Sequence, residues 1–318
     1  MTTIDIVGGG ILGLAMGYDL LKRGIGVRIW ERGQELGGLM GRTHFPELGN
    51  VEVDRYYHAI LNSDKTLIGL INEMGLNSEL HAVTTKMGFY HDSKLYPMSS
   101  PVDFMRFPPL SMVDRARLAM TILAARRVKD WRALEQEPVV KWLTRLGGKG
   151  TVEHIWKPLL RAKFDGGFDT VPATYIWSRL VRMTDTRDKT NAKEQMCFLT
   201  GGYHMLIQAL ARAVIQRGGM ITMGATVKQI QVANGRVTGL KVDNDEITSE
   251  GAILTLQTPI ARRLLPPDAP EVIAQWSKLE DYLGIVCMLM VLRRSLIPYY
   301  TLNITDANIP FTGVIETT

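Results

Sequence analysis

The chain has 318 residues, of which 46% are hydrophobic and 22% charged, a balance typical of a globular protein with a buried core and not of a disordered chain. Its two cysteines, Cys197 and Cys287, are too few for a disulfide framework or a clustered thiolate metal site. The formal net charge of +5 comes without a block of like charges, so no nucleic-acid-binding arm is predicted.

The sequence also bears on location. Its first residues lack the basic and apolar segments of a secretory signal. The longest strongly apolar run, residues 283–292, has about half the length that a membrane-spanning helix needs. We therefore expect the protein to act in the reducing cytoplasm.

The first elements form a βαβ pattern. Residues 4–7 are a short apolar run that predicts a buried strand, residues 11–23 predict a helix that ends at Gly24 and Gly26, and residues 27–30 predict a second strand. Two parallel strands joined by a helix within about 30 residues make a right-handed crossover unit.

The middle of the chain, from Ser99 to about Lys193, changes to helical patterns. It begins with three prolines and continues with predicted helices at 111–134, 138–146 and 152–163. We interpret this part as a helical insertion.

Strand patterns resume near Gly201. A helix is predicted at 203–217 and strands at 220–223, 227–232, 236–242 and 252–256, with Asn234-Gly235 as a hairpin turn. After Pro259 the pattern predicts a short helix and then strands of a second sheet at 285–292, 300–304 and 313–317.

The turn after the first strand matches G-x-G-x-x-G. Gly8 permits a tight turn, Gly10 lets a pyrophosphate approach the backbone, and Gly13 allows close packing of the helix on the strand. The helix N-terminus offers unpaired N–H groups to phosphate oxygens. Glu31, at the end of the second strand, is placed to bind ribose hydroxyls, and an acidic residue there favours NAD or FAD over NADP.

The following residues distinguish between these two nucleotides. Glu31-Arg32, Gly37-Gly38 and Gly41-Arg42-Thr43 resemble the extended N-terminal signature of FAD enzymes in the amine oxidase, protoporphyrinogen oxidase and phytoene desaturase superfamily. The resemblance implies that FAD is the cofactor and that Arg42 lies near its diphosphate, where a guanidinium offers paired donors. The predicted FAD-binding residues are Gly8, Gly10, Ile11, Leu12, Gly13, Glu31, Arg32, Gly37, Gly38, Arg42 and Val227.

A second block supports the resemblance. Residues 198–203, the helix that follows and the strand after it are similar to the segment by which the superfamily returns to its nucleotide domain, and the backbone of Val227 would meet the adenine. The implied fold is α/β, a Rossmann-like FAD-binding domain with an inserted helical and mixed-sheet substrate domain. We expect the FAD-binding domain to comprise 1–85 and 195–260, and the substrate domain 86–194 and 261–318.

The superfamily also has a final glycine-rich segment near the flavin ring. Nothing after Gly202 matches it, so we expect this chain to be part of a longer protein.

The candidate catalytic residues come from the stretch 53–58. Following the diphosphate loop, Arg55, Tyr57 and His58 could hold a polar or anionic substrate, and His58 could transfer a proton. The alternative is that Tyr57 and His58 form a buried pair satisfied by backbone groups. None of the six histidines has a spacing typical of metal ligands, and we expect no metal site.

The resemblance implies a hydride-transferring oxidoreductase that acts on a C–H or C–N centre of a sizeable, partly apolar small molecule, as protoporphyrinogen oxidases do. The region 283–292 lacks the lysine that many amine oxidases carry, which disfavours simple amine oxidation. A carotenoid-type desaturase, a sugar-nucleotide mutase that uses Arg161, Arg179 and Arg182, and a non-catalytic nucleotide-binding scaffold stay open. The arginine-rich helix from Ser111 either contacts an anionic membrane surface or is a solvated cationic face.

Overall fold

The computed structural model describes residues 2–164, 166–185, 195–266, 282, 284–306 and 308–317. The chain divides into two compact units. Unit 1 comprises residues 1–58, 69–80 and 199–289, and unit 2 comprises 59–68, 81–198 and 290–318.

The described elements are as follows. The strands are β1 (Thr3–Val7), β2 (Gly26–Glu31), β3 (Arg42–Phe45), β4 (Val51–Asp54), β5 (Ile60–Leu61), β6 (Leu80–Thr84), β7 (Met87–His91), β8 (Lys94–Pro97), β9 (Gln195–Leu199), β10 (Met220–Met223), β11 (Val227–Ala233), β12 (Arg236–Val242), β13 (Asp245–Thr248), β14 (Ala252–Leu254), β15 (Thr301–Ile304) and β16 (Gly313–Ile315). The helices are α1 (Ile11–Lys22), α2 (Lys65–Glu73), α3 (Pro101–Arg106), α4 (Met112–Arg127), α5 (Arg132–Glu135), α6 (Val139–Thr151), α7 (Lys157–Phe164), α8 (Thr174–Asp185), α9 (His204–Gln216) and α10 (Thr258–Arg263).

Unit 1 is built on a four-stranded parallel sheet with the order β10-β2-β1-β14. The parallel pairing of β1 with β2, joined by α1, confirms the predicted βαβ unit. Helix α1 packs closely because Gly17 carries no side chain, and a Cβ there would lie 3.0 Å from the Cδ1 atom of Ile29.

A buried carboxylate ties this sheet together. Asp5, fully buried on β1, accepts hydrogen bonds from Arg28 Nε at 2.9 Å and Nη2 at 2.7 Å, and from Trp30 Nε1 at 2.7 Å. The hydroxyl of Ser249, which precedes β14, also donates to it. The Asp5 side chain therefore joins β1 and β2 to the segment that precedes β14.

Unit 1 also contains a three-stranded antiparallel sheet, β11-β12-β13, and a two-stranded antiparallel sheet, β3-β4. The first hairpin of the three-stranded sheet turns at Asn234 and Gly235, whose φ angles are 53° and 72°, which confirms the hairpin predicted from these two residues.

Unit 2 combines sheets with helices. Its sheets have the orders β5-β9-β6 and β16-β15-β7-β8, and in the second of them β15 runs parallel to β7. Helices α3 to α8 contribute to a core whose largest fully buried side chains include Trp142, Phe107 and Leu143. The helical insertion and the strands at 300–304 and 313–317 are thus confirmed.

Three of the predicted helices differ in extent. The helix predicted at 111–134 ends at Arg127, and a short helix, α5, follows. The helices predicted at 138–146 and 152–163 form one run, with a kink at Gly148 (φ 78°) and a π-helical turn at Val152–Trp156. With a ψ of 169° as well, Gly148 is non-helical and interrupts the run two residues after the predicted end of the first helix.

The strand predicted at 285–292 is wrong. Residues 284–292 lie outside any helix or sheet, and their apolar side chains are exposed, with Val286 at 98% and Met288 at 81%. A strand needs a partner for its backbone hydrogen bonds, and the described residues supply none to this segment. Leu283 itself lies outside the described residues. In the part of the chain that the structure describes, no helix is both long and apolar enough to cross a membrane.

We expect Asp5→Ala to lower the free energy of unfolding by about 3 kcal/mol, because it leaves the Arg28 guanidinium and the Trp30 N–H without their buried acceptor. The exposed pair of Asp19 on α1 and Arg23, which caps that helix, provides the matched control, and Asp19→Ala should cost less than about 1 kcal/mol. Urea unfolding followed by circular dichroism measures both. Equal losses for the two variants would contradict the role given to Asp5.

Candidate functional site

The glycine turn between β1 and α1 is shaped by close backbone contacts. Gly8 has a φ of +115°, which L side chains rarely adopt. A Cβ on Gly13 would lie 2.0 Å from the carbonyl oxygen of Gly8, so only glycine lets the first turn of α1 reach the end of β1. The structure thus gives these two glycines the steric roles predicted for them.

Gly10 differs, because a cradle opens beside it. A Cβ on Gly10 would meet its nearest neighbour, the Gly37 carbonyl oxygen, only at 3.8 Å. The backbone of the second glycine pair faces this position through a hydrogen bond of 3.0 Å from Gly37 N to Gly9 O. Gly10 is also the N-cap of α1, and no side chain caps the helix there. An open backbone surface at an uncapped helix N-terminus is the arrangement that binds a phosphate group.

Two apolar side chains flank the cradle in sequence and are exposed. Leu12, in the first turn of α1, is 58% exposed, and Leu39, directly after Gly38, is 67% exposed. Their exposure next to an open backbone surface fits a site that a bound nucleotide covers.

Glu31 is held at the end of β2 by two backbone donors. Its Oε2 accepts from Gly9 N at 2.7 Å, and its Oε1 accepts from Gly33 N at 2.7 Å. Each oxygen keeps a further lone pair for a ribose hydroxyl. Because it contacts Gly9 directly, Glu31 lies beside the glycine turn, as the sequence predicted.

The segment before β11 reaches the same place. Ala225 N donates to Glu31 O at 3.0 Å, and Gly224 N donates to Gly33 O at 2.9 Å. Val227 follows two residues later, and its buried side chain packs in a cluster with Val7 and Trp30. Its side chain therefore serves the core, and its predicted backbone contact with adenine stays a prediction.

The loop around Gly41 carries two arginines. Arg42 on β3 forms an ion pair with Glu52 on β4. Arg55 lies against the same loop, with its N–H 2.8 Å from Gly41 O and its Nη2 3.2 Å from Arg42 O. Since its guanidinium already has a carboxylate partner, Arg42 would have to share or exchange Glu52 to contact a diphosphate.

A cluster around Asp54 was not predicted. Its carboxyl accepts from the Tyr203 N–H at 3.1 and 3.4 Å, which ties the end of β4 to the turn at Gly201-Gly202. Burial raises the pKa of this carboxyl above its ordinary value, although the Tyr203 N–H and His58 act in the opposite direction. The alternation Val51-Glu52-Val53-Asp54 indicates only that the aspartate lies on the same side of its strand as Glu52, and it does not indicate the contact with Tyr203.

His58 belongs to this cluster. Its ring meets the ring of Tyr203 edge-on, with centroids 5.2 Å apart, and its Nδ1 lies 2.9 Å from Tyr56 O. Tyr57 is 46% exposed, so the alternative of a buried pair between Tyr57 and His58 is not observed. Of the three candidate catalytic residues, His58 is held by ring and backbone contacts, Arg55 lies at the Gly41 loop, and Tyr57 faces solvent.

The sequence was also compared with those of known proteins. The profile of the family described as flavin containing amine oxidoreductase matches residues 13–305. The chain belongs to this family. It is 26% identical to the coproporphyrinogen III oxidase of Mycobacterium leprae over 92% of this chain and 68% of that protein. It is 21% identical to the 4,4'-diapolycopen-4-al dehydrogenase of Metabacillus indicus, over 84% of this chain and 58% of that protein.

The fold is similar to that of solved structures. A protoporphyrinogen oxidase-like structure from Exiguobacterium sp. 255-15 superimposes with a TM-score of 0.68 at 21% identity, over 98% of this chain and 72% of that one. The chain thus spans between 58% and 72% of the length of these three proteins. Together the findings confirm the α/β fold, the oxidoreductase class and FAD as the cofactor of the family, whereas the individual site residues stay predictions.

Gly10→Val tests the cradle. Gly10 has an extended backbone (φ −76°, ψ 178°) that valine adopts readily, so we expect the variant to fold while its side chain fills the space for the diphosphate. The affinity for FAD, measured by flavin fluorescence during reconstitution, should fall at least about a hundredfold, since the loss of phosphate contacts costs several kcal/mol. Gly69→Val on α2, where a Cβ would meet nothing within 4 Å, is the matched control and should bind FAD normally. Unchanged FAD affinity in Gly10→Val would overturn the assignment.

Proposed function

We propose that this chain carries the nucleotide-binding part of an FAD-dependent oxidase that acts on a porphyrinogen-like substrate, sizeable and partly apolar. The observation that carries the substrate class is the similarity to the coproporphyrinogen III oxidase over 92% of the chain. The open backbone at Gly10 and the two hydrogen bonds that orient Glu31 support FAD as the occupant of the cradle.

The reaction removes two electrons and two hydrogens from the substrate. When bound, FAD would supply the acceptor for a hydride from a C–H bond of the substrate, and oxygen or another acceptor would finally take up the two electrons. The substrate also loses a proton from the adjacent carbon or nitrogen, and a new double bond forms between the two atoms. The protein has to hold the substrate, exclude water and receive the proton.

His58 is the proposed acceptor of that proton. The Tyr56 carbonyl can only accept a hydrogen bond, so Nδ1 of His58 carries the hydrogen and Nε2 of the neutral ring keeps its lone pair. The edge-on contact with Tyr203 restrains the ring. Nε2 is therefore the nitrogen available as a general base. Arg55 and Tyr57 are proposed to bind polar or anionic groups of the substrate.

The division of labour between the two units is part of the proposal. The predicted FAD-binding residues all lie in unit 1. Of the proposed substrate domain, 86–194 and 261–318, residues 86–194 and 290–318 lie in unit 2 and residues 261–289 in unit 1. We further propose that the enzyme works in the cytoplasm.

A carotenoid-type desaturase is the second candidate, because the Metabacillus indicus relative is a 4,4'-diapolycopen-4-al dehydrogenase. The sugar-nucleotide mutase needs free arginines for a diphosphate. Arg182, however, makes two hydrogen bonds to Asp64, at 3.1 and 2.7 Å, and Arg179 lies over the ring of Tyr175. The bonds to Asp64 weigh against Arg182 as a diphosphate ligand, whereas roles for Arg161 and Arg179 stay predictions.

Flavin bleaching tests the proposed reaction. Anaerobic mixing of the FAD-loaded protein with a porphyrinogen should bleach the flavin absorbance, whereas a polyene should not, and the reverse result would favour the desaturase. Bleaching by neither compound would contradict both candidates.

His58→Ala should leave the flavin spectrum unchanged and slow its reduction by about a hundredfold or more, the usual contribution of a general base. The exposed His81 on β6 gives the matched control, and His81→Ala should react at the wild-type rate. If both variants reduce their flavin equally fast, His58 does not take the proton.

We also propose that helices α3 and α4 contact an anionic membrane surface, because both helices expose apolar side chains to solvent. Leu118 and Ala125 of α4 are buried, while Met112, Met120 and Leu123 are 66%, 55% and 52% exposed. Val102 and Met105 on α3 are also exposed. A solvated cationic face does not account for apolar side chains of this size.

Cations border this apolar face. Arg126 and Arg127 end α4, and Lys129 follows them. None of these three cations forms an ion pair with another residue that the structure describes. Apolar side chains beside unpaired cations fit the interface of a bilayer that contains anionic lipids.

The membrane proposal is tested by sedimentation with vesicles of phosphatidylcholine, with and without phosphatidylglycerol. Binding should require the anionic lipid, and Met120→Glu combined with Leu123→Glu should weaken it at least about tenfold, because two apolar side chains lose their burial. Ile215→Glu combined with Met220→Glu, at positions 59% and 54% exposed in unit 1, is the matched control and should bind as the wild type does. Equal binding of the two double variants would refute the proposed face.

A further inference from the structure

A cluster of three potential metal ligands lies in unit 2, apart from the residues assigned to FAD. His91 ends β7, Asp92 begins the turn to β8, and Asp306 follows β15. One ligand atom from each residue lies within 4.8 Å of the others. Because β15 pairs in parallel with β7, the cluster joins the tip of a hairpin to the end of its neighbouring strand.

The imidazole of His91 is oriented by its surroundings. The hydroxyl of Thr305 donates to Tyr90 O at 2.8 Å, so its oxygen accepts from His91 Nδ1, which lies 2.9 Å away. Nδ1 therefore carries the hydrogen, and Nε2 keeps a lone pair. The ring also packs edge-on against Phe107, with centroids 5.8 Å apart. An oxygen that fixes the tautomer of an imidazole is the outer partner that metal-bound histidines have.

The carboxylates add negative charge at the same place. Asp306, whose side chain is only 13% exposed, accepts from Asp92 N at 2.9 Å and from Ser93 N at 3.1 Å, one bond to each oxygen. Each oxygen keeps a lone pair for another partner. Asp92 is 85% exposed and free to change rotamer. Among the described residues, no lysine or arginine forms an ion pair with either aspartate.

The distances suit a shared ion. The Nε2 atom of His91 lies 3.8 Å from an Oδ2 oxygen of Asp92. Two ligands that are each about 2.1 Å from one zinc ion are separated by about 3.4 Å at a tetrahedral angle and by at most about 4.2 Å. This pair already falls within that range. Asp306 Oδ1 lies 3.9 Å from Nδ1 of the same ring, so a small tilt of the imidazole as well as a rotation of the exposed Asp92 is needed to bring all three ligands to one ion.

We propose that His91, Asp92 and Asp306 bind a divalent transition-metal ion of the zinc class. One imidazole nitrogen and two carboxylate oxygens form a donor set that zinc accepts, and water completes the tetrahedron. The ion neutralises the two carboxylates and fastens the β7–β8 turn to the end of β15. The site is independent of FAD and of the proposed oxidation.

Zinc binding by the chelator-treated full chain tests this site. We expect the wild-type chain to take zinc from a chromophoric indicator and to unfold at a higher temperature when zinc is present, since a ligand that binds the folded state stabilises it. Asp92→Asn removes a ligand from an exposed position without disturbing the core. It should weaken zinc binding at least about tenfold, by analogy with the loss caused by removing even an outer partner, and abolish the thermal shift.

The matched control is Asp245→Asn, an exposed aspartate at the β12–β13 turn, and it should bind zinc as the wild type does. His91→Asn should resemble Asp92→Asn in affinity, which separates this site from zinc held by other histidines. If the wild-type chain binds no zinc, or if Asp92→Asn and Asp245→Asn bind it equally, the proposal is wrong.

Discussion

The approach of the first turn of α1 to the end of β1 is the constraint on which the nucleotide site depends. A Cβ at Gly13 would lie 2.0 Å from the Gly8 carbonyl oxygen, so the helix reaches this position only because both residues are glycine. The same approach aims the uncapped helix N-terminus at the open side of Gly10. Glu31 then completes the site by binding Gly9 N, which fixes the end of β2 relative to the turn.

The sequence was informative where local chemistry determines structure. The turn at Gly8 and the hairpin at Asn234-Gly235 follow from the backbone freedom of glycine and asparagine. Gly13 is required because a Cβ there would clash with the Gly8 carbonyl oxygen. The βαβ unit around the turn follows from the local apolar pattern. The family resemblance rested on the same residues. It therefore predicted the fold and the cofactor correctly from short motifs.

Other features depend on contacts between residues far apart in sequence. The Asp54 carboxyl accepts a hydrogen bond from the N–H of Tyr203, which is 149 residues away in sequence, and no local pattern predicts that bond. The pairing of Arg42 with Glu52 is likewise a cross-strand contact, and it became visible only once the register of β3 on β4 was known. The strand predicted at 285–292 fails for the same reason, because an apolar run forms a strand only where a neighbour supplies hydrogen bonds.

Residues 284–292 therefore expose apolar side chains to water. A run of exposed apolar side chains, with Ile285 at 80% and Val286 at 98%, outside any sheet, is the kind of segment through which polypeptides recruit strands from other molecules. Burial of this run against another polypeptide segment would be favoured by the hydrophobic effect.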